Sequence, residues 1–147
     1  MALNPQFSTL SVNAQADAIG GALNSGYIRV YDGNQPEDAD QPVTDQVLLA
    51  ELRFGADAFP AAVDGIIDSN AITADPSANA TGEAKWCRVL ASNGTSVHFD
   101  GSVGTEDANL ILNTTDIVAG GVVSAPNGLS VVVPKAGEVI ADDIEEV

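Results

Sequence analysis

The only Cys, the only His and the only Trp of this chain, Cys87, His98 and Trp86, fall in one stretch, Thr81 to Gly104. A thiol beside an imidazole is the least that nucleophilic catalysis requires, because the imidazole must take the proton of the attacking group. The stretch reads as a β-hairpin whose tip is Asn93-Gly94, a two-residue loop suited to a type I′ turn. Counting back from that tip places Leu90 opposite Val97, Arg88 opposite Phe99 and Trp86 opposite Gly101 on one face. On the other face Val89 meets His98 and Cys87 meets Asp100, so the thiol and the imidazole stand one pair apart. No second His is present to orient or assist, so the reading is of two packing residues on neighbouring strands rather than a reactive pair. Trp86 is expected to be buried beneath the hairpin, and Arg88 opposite Phe99 forms a cross-strand cation–π contact in this register.

Other chemistries find less support. One Cys and one His cannot complete a tetrahedral zinc site, and neither a GxGxxG nor a P-loop sequence occurs. The stretch DGNQPEDADQPVTD crowds Asp32, Glu37, Asp38, Asp40 and Asp45 together, and oxygen-rich loops of this kind hold Ca²⁺. Asp32, Glu37, Asp38 and Asp40 are therefore weak calcium candidates, but their spacing departs from the EF-hand order, and a solvated acidic loop is the favoured reading. With 21 acidic residues some carboxylates must be neighbours, yet no pair is singled out for glycoside hydrolysis. No cofactor is expected.

Acidic residues outnumber basic ones 21 to 5, a net charge of −16 over 147 residues. Such a surface repels the phosphates of nucleic acid and of anionic membranes, so neither is an expected partner. It suits solubility in a protein made in quantity, or a host in salty water, where screening weakens self-repulsion. A single Cys allows no internal disulfide, and no apolar run approaches a membrane span. The first basic residue is Arg29, so no charged n-region of a signal peptide is visible, and the chain is expected to fold in a cytosol.

The elements that must position these residues are mostly strands. Residues 1–11 read as an extended arm, with Phe7 and Leu10 as isolated apolar anchors. Ser11 offers an N-cap for a helix over 12–24, whose Val12, Ala16, Ile19 and Leu23 recur at helical spacing and leave Asn13, Gln15 and Asp17 outside. GYIRVYDG alternates Tyr27, Arg29 and Tyr31 against Ile28 and Val30, and QVLLAELRF places Leu48, Ala50, Leu52 and Phe54 on one face. Further strand regions lie at 65–75, 105–113, 117–124 and 129–134, with turns between them. About eight β segments at near ten-residue spacing predict a mainly β domain over 12–134, an antiparallel, jelly-roll-like sandwich or barrel with one short N-terminal helix. Residues 135–147 form an acidic tail with five Asp and Glu.

Several blocks, taken in order, carry a resemblance. They are ALNSGYIRVYDG from Ala22 to Gly33, the LLAxLxF strand from Leu48 to Phe54, and NAITADPSANATGEAKWCR from Asn70 to Arg88. The series continues with SNGTSVHFDGSVGT from Ser92 to Thr105 and the Asp107 to Gly120 stretch. Together these resemble a family of small virion structural proteins of tailed phages and prophages, of the head decoration or cement type. The resemblance covers most of residues 12–133, leaving out the arm and the tail.

The resemblance implies a non-enzymatic protein that binds the outside of a phage capsid lattice and stabilises it. Its partner would be the major capsid protein, its place the capsid surface of the virion after synthesis in the host cytoplasm, and its own state a homo-oligomer, a trimer at lattice three-folds. Phe7, Leu10, Tyr27 and Tyr31 are the candidate capsid or subunit contacts, as apolar groups that a monomer would leave exposed. Two alternatives stand beside this: a phage tail component, and a cation-dependent glycan-binding module built on the 32–45 loop and exposed aromatics.

Overall fold

The computed structural model describes residues 3–136. The first regular element is helix α1, Thr9–Ala22. It begins two residues after Phe7 because the Ser8 side chain accepts a hydrogen bond from the Ser11 N–H, which satisfies an otherwise orphaned donor. The cap is therefore Ser8, not Ser11, and the extended arm is shorter than 1–11. Val12, Ala16 and Gly20 bury one stripe, and Leu23 closes the end as C-cap. Asn13 and Asp17 are not idle on the other side. Asn13 Oδ1 accepts from the Gly65 N–H at 2.7 Å and Asp17 Oδ1 from the Ala62 N–H at 2.7 Å, so they tie the helix to the 62–65 corner.

Ten strands follow: β1 Tyr27–Tyr31, β2 Leu48–Phe54, β3 Ile66–Asp68, β4 Ile72–Thr73 and β5 Gly82–Glu83, then β6 Trp86–Leu90, β7 Val97–Gly104, β8 Leu110–Ile111, β9 Asp116–Ile117 and β10 Ser130–Val132. Six of them form a curled sheet in the order β4-β2-β1-β6-β7-β8, and two ribbons, β10-β3 and β5-β9, complete the fold. The protein is thus mainly β and barrel-like with one helix near its N terminus, as its sequence predicts, although short strands raise the count from about eight to ten. One pairing was not foreseen: β8 runs parallel to β7, with Val103 beside Leu110.

The concave side of the sheet contributes Ile28, Val30, Ala50, Leu52, Phe54, Cys87 and Val89 to a single aliphatic core. Against it pack Ala16 and Leu23 of the helical segment, Ala58 and Phe59, Ile67 of the β3–β10 ribbon, and Leu110, Ile117, Val123 and Leu129. Gly26 makes the turn from helix to β1 possible. A Cβ there would collide with the Leu90 carbonyl oxygen and lie 2.8 Å from that of Leu23.

Two departures from simple alternation shape the sheet. Between β1 and β2 the register shifts at Val30/Tyr31, so Tyr31 pairs with Leu48, and Leu49 and Ala50 are both buried. Between β6 and β7 it shifts at Val89/Leu90. Leu90 faces Val97 as counted from the turn, but His98 is passed over, and beyond it Val89 faces Phe99, Arg88 faces Asp100, Cys87 faces Gly101 and Trp86 faces Ser102. The arm pairs with its own chain: Gln6 bridges Ala136 and the Phe7 N–H donates to the Lys135 carbonyl. Apart from Lys135 and Ala136, the acidic tail lies outside the described residues.

Candidate functional site

Because β1, β2, β6 and β7 are antiparallel neighbours, the residues that point away from the core line up in rows across the sheet. One row reads Glu51, Arg29, Arg88, Asp100. Arg29 Nε donates to Glu51 Oε2 at 2.8 Å, and Arg88 grips Asp100 with Nε and Nη2 at 2.8 and 3.0 Å. The second pair is almost sealed, with side chains 7% and 4% exposed. Donating its hydrogen bonds to Asp100 holds the Arg88 guanidinium above its already high ordinary value, against the opposing effect of burial.

The neighbouring row carries Tyr31 and Trp86, stacked at 4.7 Å with a 17° tilt. The Trp86 indole N–H donates to the Asp32 carbonyl at 3.0 Å, so its polar edge is satisfied while its ring is wholly buried. On the other side of the charged row, Tyr27 lies opposite Arg53 and Leu90. The Arg53 guanidinium sits 3.9 Å from the centre of the Tyr27 ring and Arg29 sits 5.6 Å away. Arg53 also donates to the Ser25 carbonyl at 2.8 Å, which fixes the corner after α1. All three arginines of the chain thus stand on one sheet face, each engaged by a carboxylate, an aromatic ring or a carbonyl.

Cys87 and His98, expected one pair apart on a shared face, are separated. The passed-over His98 is exposed, whereas Cys87 sits opposite Gly101 inside the core. Burial pushes the Cys87 thiol up to about 12, against a small opposing effect of the Gly101 backbone, so it holds its proton and is a poor nucleophile. Nor does Arg88 face Phe99: its partners are Asp100 and, at 5.4 Å, the Trp86 ring.

The acidic loop is organised by its own hydrogen bonds. Asp32 Oδ1 accepts from the Val47 N–H at 2.6 Å, Asp38 Oδ1 from the Asp40 N–H at 2.8 Å, and Gln46 Nε2 donates to the Asn34 carbonyl at 2.6 Å. An open depression of about 340 Å³ is lined by Pro36, Glu37, Asp38 and Gln41 among others, but not by Asp32 or Asp40. The four calcium candidates therefore do not share one site, and among the described residues no group of three or more His, Cys, Asp or Glu is placed to hold a metal ion.

The four contact candidates divide. Leu10 is 82% and Phe7 38% exposed, and Tyr27 is half-buried under Arg53. Tyr31 was expected at the surface but is only 7% exposed, because Trp86 stacks on it and the sheet face it occupies is covered at that end. Residues not singled out in the sequence include the exposed Val63, Ile66, Val122 and Val132. Their signal was available in part: Ile66 precedes the buried Ile67 in a strand, and alternation must expose one of the two. Asn109 was also passed over. Its Oδ1 accepts from the Ser102 N–H and hydroxyl, both at 3.1 Å, and its Nδ2 donates to the Ser130 carbonyl at 3.0 Å, joining β7 to β10.

No family model, no curated protein and no solved structure matches this chain.

Proposed function

We propose that this chain is a non-enzymatic virion structural protein that binds the outside of a phage capsid lattice, with the major capsid protein as partner. The observation that carries the reading is how the resembling blocks divide the molecule. Residues 22–33, 48–54, 70–88, 92–105 and 107–120 supply β1, β2, β4, β5, β6 as far as Arg88, β7, β8 and β9, which is all of the six-stranded sheet but Val89 and Leu90, and one ribbon. Of the nine large apolar side chains exposed among the described residues, eight fall outside those blocks, Val118 being the exception. A rigid sheet that leaves its exposed apolar groups on other segments suits a protein that must hold its shape while it grips a shell. The excess of 21 acidic over 5 basic residues keeps such a protein soluble before assembly and away from the packaged genome.

The glycan-module reading loses its platform, since Trp86 and Tyr31 are buried and Tyr27 lies under a guanidinium. The decisive experiment mixes the purified chain with expanded phage capsids that lack it and measures co-sedimentation and the melting temperature of the shells. Saturable binding with a raised shell melting temperature is the expected result. Absence of binding sinks the proposal, and binding to isolated tails alone transfers it to the tail.

A further inference from the structure

Asn followed by Gly occurs twice in the chain, at Asn93-Gly94 and at Asn127-Gly128. Such a pair is chemically labile, because a glycine has no Cβ to keep its nitrogen away from the carbonyl carbon of the preceding side chain. The two turns are alike in their backbones. Gly94 has a φ of +72° and Gly128 one of +71°. Each glycine N–H donates at 3.0 Å to the carbonyl three residues back, that of Ala91 in one turn and of Ala125 in the other. Both asparagines are exposed. The bond that restrains the glycine nitrogen is thus the same in both turns, and the difference between them lies in the side chains.

Asn93 is tied at both ends of its amide. Its Oδ1 accepts from the Thr95 and Ser96 N–H groups, each at 2.9 Å, and its Nδ2 donates to Ser96 Oγ at 2.8 Å. Among the described residues the Asn127 amide has no hydrogen-bond partner. Ring closure requires the side-chain carbonyl carbon to turn onto the glycine nitrogen, and the geometry of such an attack is narrow. Asn127 can make that turn at once, whereas Asn93 must first release its bonds.

We propose that Asn127 is a modification site of the folded chain, converting spontaneously to aspartate and isoaspartate, and that the fold protects Asn93. The Gly128 nitrogen gives its proton to hydroxide and attacks Asn127 Cγ. The N–Cγ bond forms, the Cγ–Nδ2 bond breaks, and Nδ2 leaves as ammonia with a proton from water. The cyclic imide then takes up one water. Breaking its N–Cγ bond restores the main chain with an aspartate. Breaking the bond to the Asn127 main-chain carbonyl carbon leaves isoaspartate, whose main chain runs through Cγ. Nothing is oxidised or reduced, and water is the only co-reactant.

Either product adds a negative charge to a chain already at −16, and isoaspartate lengthens the main chain of a closely held turn. Leu129 is buried; its N–H donates to Ser69 Oγ and its carbonyl accepts from the Ser69 N–H, both at 2.9 Å. Gly128 lies so near that a Cβ on it would stand 2.5 Å from Ser69 Oγ. Extra chain length beside these contacts should loosen the link between Leu129 and the end of β3.

Capsid binding plays no part in the test, so its outcome is separate from that of the proposed function. The full chain is kept in warm, mildly alkaline buffer, folded or unfolded in guanidinium chloride, and then cut at its aspartates. Asp100, Asp107 and Asp116 lie between the two sites, so each falls on its own peptide, where the mass gain of amide-to-acid conversion is read. Unfolded, the two sites should convert at comparable rates. Folded, Asn127 should convert about tenfold faster than Asn93, the factor that side-chain hydrogen bonds of ordinary strength supply. Ser96→Ala removes the Nδ2 acceptor and should speed conversion at Asn93 alone. Amide exchange at Ser69 should quicken in the aged wild type and not in aged Asn127→Gln. Equal rates in the folded chain, a faster Asn93, or conversion at neither site overturns the proposal, and unchanged Ser69 exchange in the converted chain overturns its structural consequence.

Discussion

Arg88 and Asp100 face each other across β6 and β7 in a two-pronged ion pair that is nearly closed to solvent. The pair exists only because one residue, His98, is passed over in the ladder. Removing one partner leaves the other charge buried without a counter-ion, at a cost of about 3–5 kcal/mol. Arg88→Ala and Asp100→Ala should each lower the urea midpoint by that measure. The double variant Arg88→Met/Asp100→Leu should recover most of the loss, because an apolar pair of similar volume needs no counter-ion.

The Cys87 thiol has its folded value raised from 9.0 to about 12 by burial. A folded value above the unfolded one means the native state keeps a proton that the unfolded state releases, so this contribution is fully present below pH 9 and is lost between 9 and about 12. The slope is about 1.4 kcal/mol per pH unit at most. Urea melts of wild type and Cys87→Ala from pH 8 to 11 should converge as pH rises, the variant being less sensitive to alkali. A thiol reagent at pH 8 should label wild-type Cys87 only as fast as the protein unfolds.

Two glycines at the end of the helical segment should respond in opposite directions. A Cβ on Gly21 meets nothing within 4 Å, so Gly21→Ala should stabilise by about 0.5–1 kcal/mol through reduced freedom of the unfolded chain. Gly26→Ala drives a methyl group into the Leu90 carbonyl and against that of Leu23, both backbone atoms that cannot step aside. That variant should lose stability, and thermal melts of the two side by side give the comparison.

Asn109→Ala should cost about 0.5–1.5 kcal/mol, since the Ser102 and Ser130 groups that it leaves are exposed and can turn to water. The loss should appear as faster amide exchange at Ser102, which donates to Asn109 directly. Exchange at Cys87 and Val89, in the middle of the sheet, should change only in proportion to global stability.

Much of the frame was legible because it rests on alternation. Tyr27 and Arg29 against Ile28 and Val30 is a period-two pattern, and the structure obeys it as far as Val30, whereas Tyr31 is buried beyond the register shift. The burial of Trp86 followed from its place in a hairpin and the burial preference of its ring, while the Asp32 carbonyl that satisfies its N–H was not foreseen. The bulge was not legible, because no residue type in VHFDG marks which one is surplus. What decides it is a pairing energy: Arg88 opposite Phe99 would have no acceptor, whereas one residue further it has Asp100. The turn is similar. Gly94 alone takes a positive φ, +72°, while Asn93 accepts from the Thr95 and Ser96 N–H groups with its side chain, so the loop is wider than the expected I′ turn. Ser8 rather than Ser11 caps the helix for an equally local reason, since either hydroxyl suits the role and only the packed position of Val12 chooses. Asn109 and the exposed Ile66 depend on partners 21 and 66 residues away, which no local pattern contains.

The bridge between Gln6 and Ala136 makes the described chain almost a ring. In a ring the point at which the polymer is cut is a matter of history rather than of architecture. A permuted chain joined across residues 6 and 136 and opened at the exposed Ser92-Asn93 tip keeps every strand pairing of the fold. It exchanges the hairpin from a loop-closed unit into the place where two free ends meet. Whether such a ring-cut chain still assembles separates what the sheet contributes from what the order of synthesis contributes.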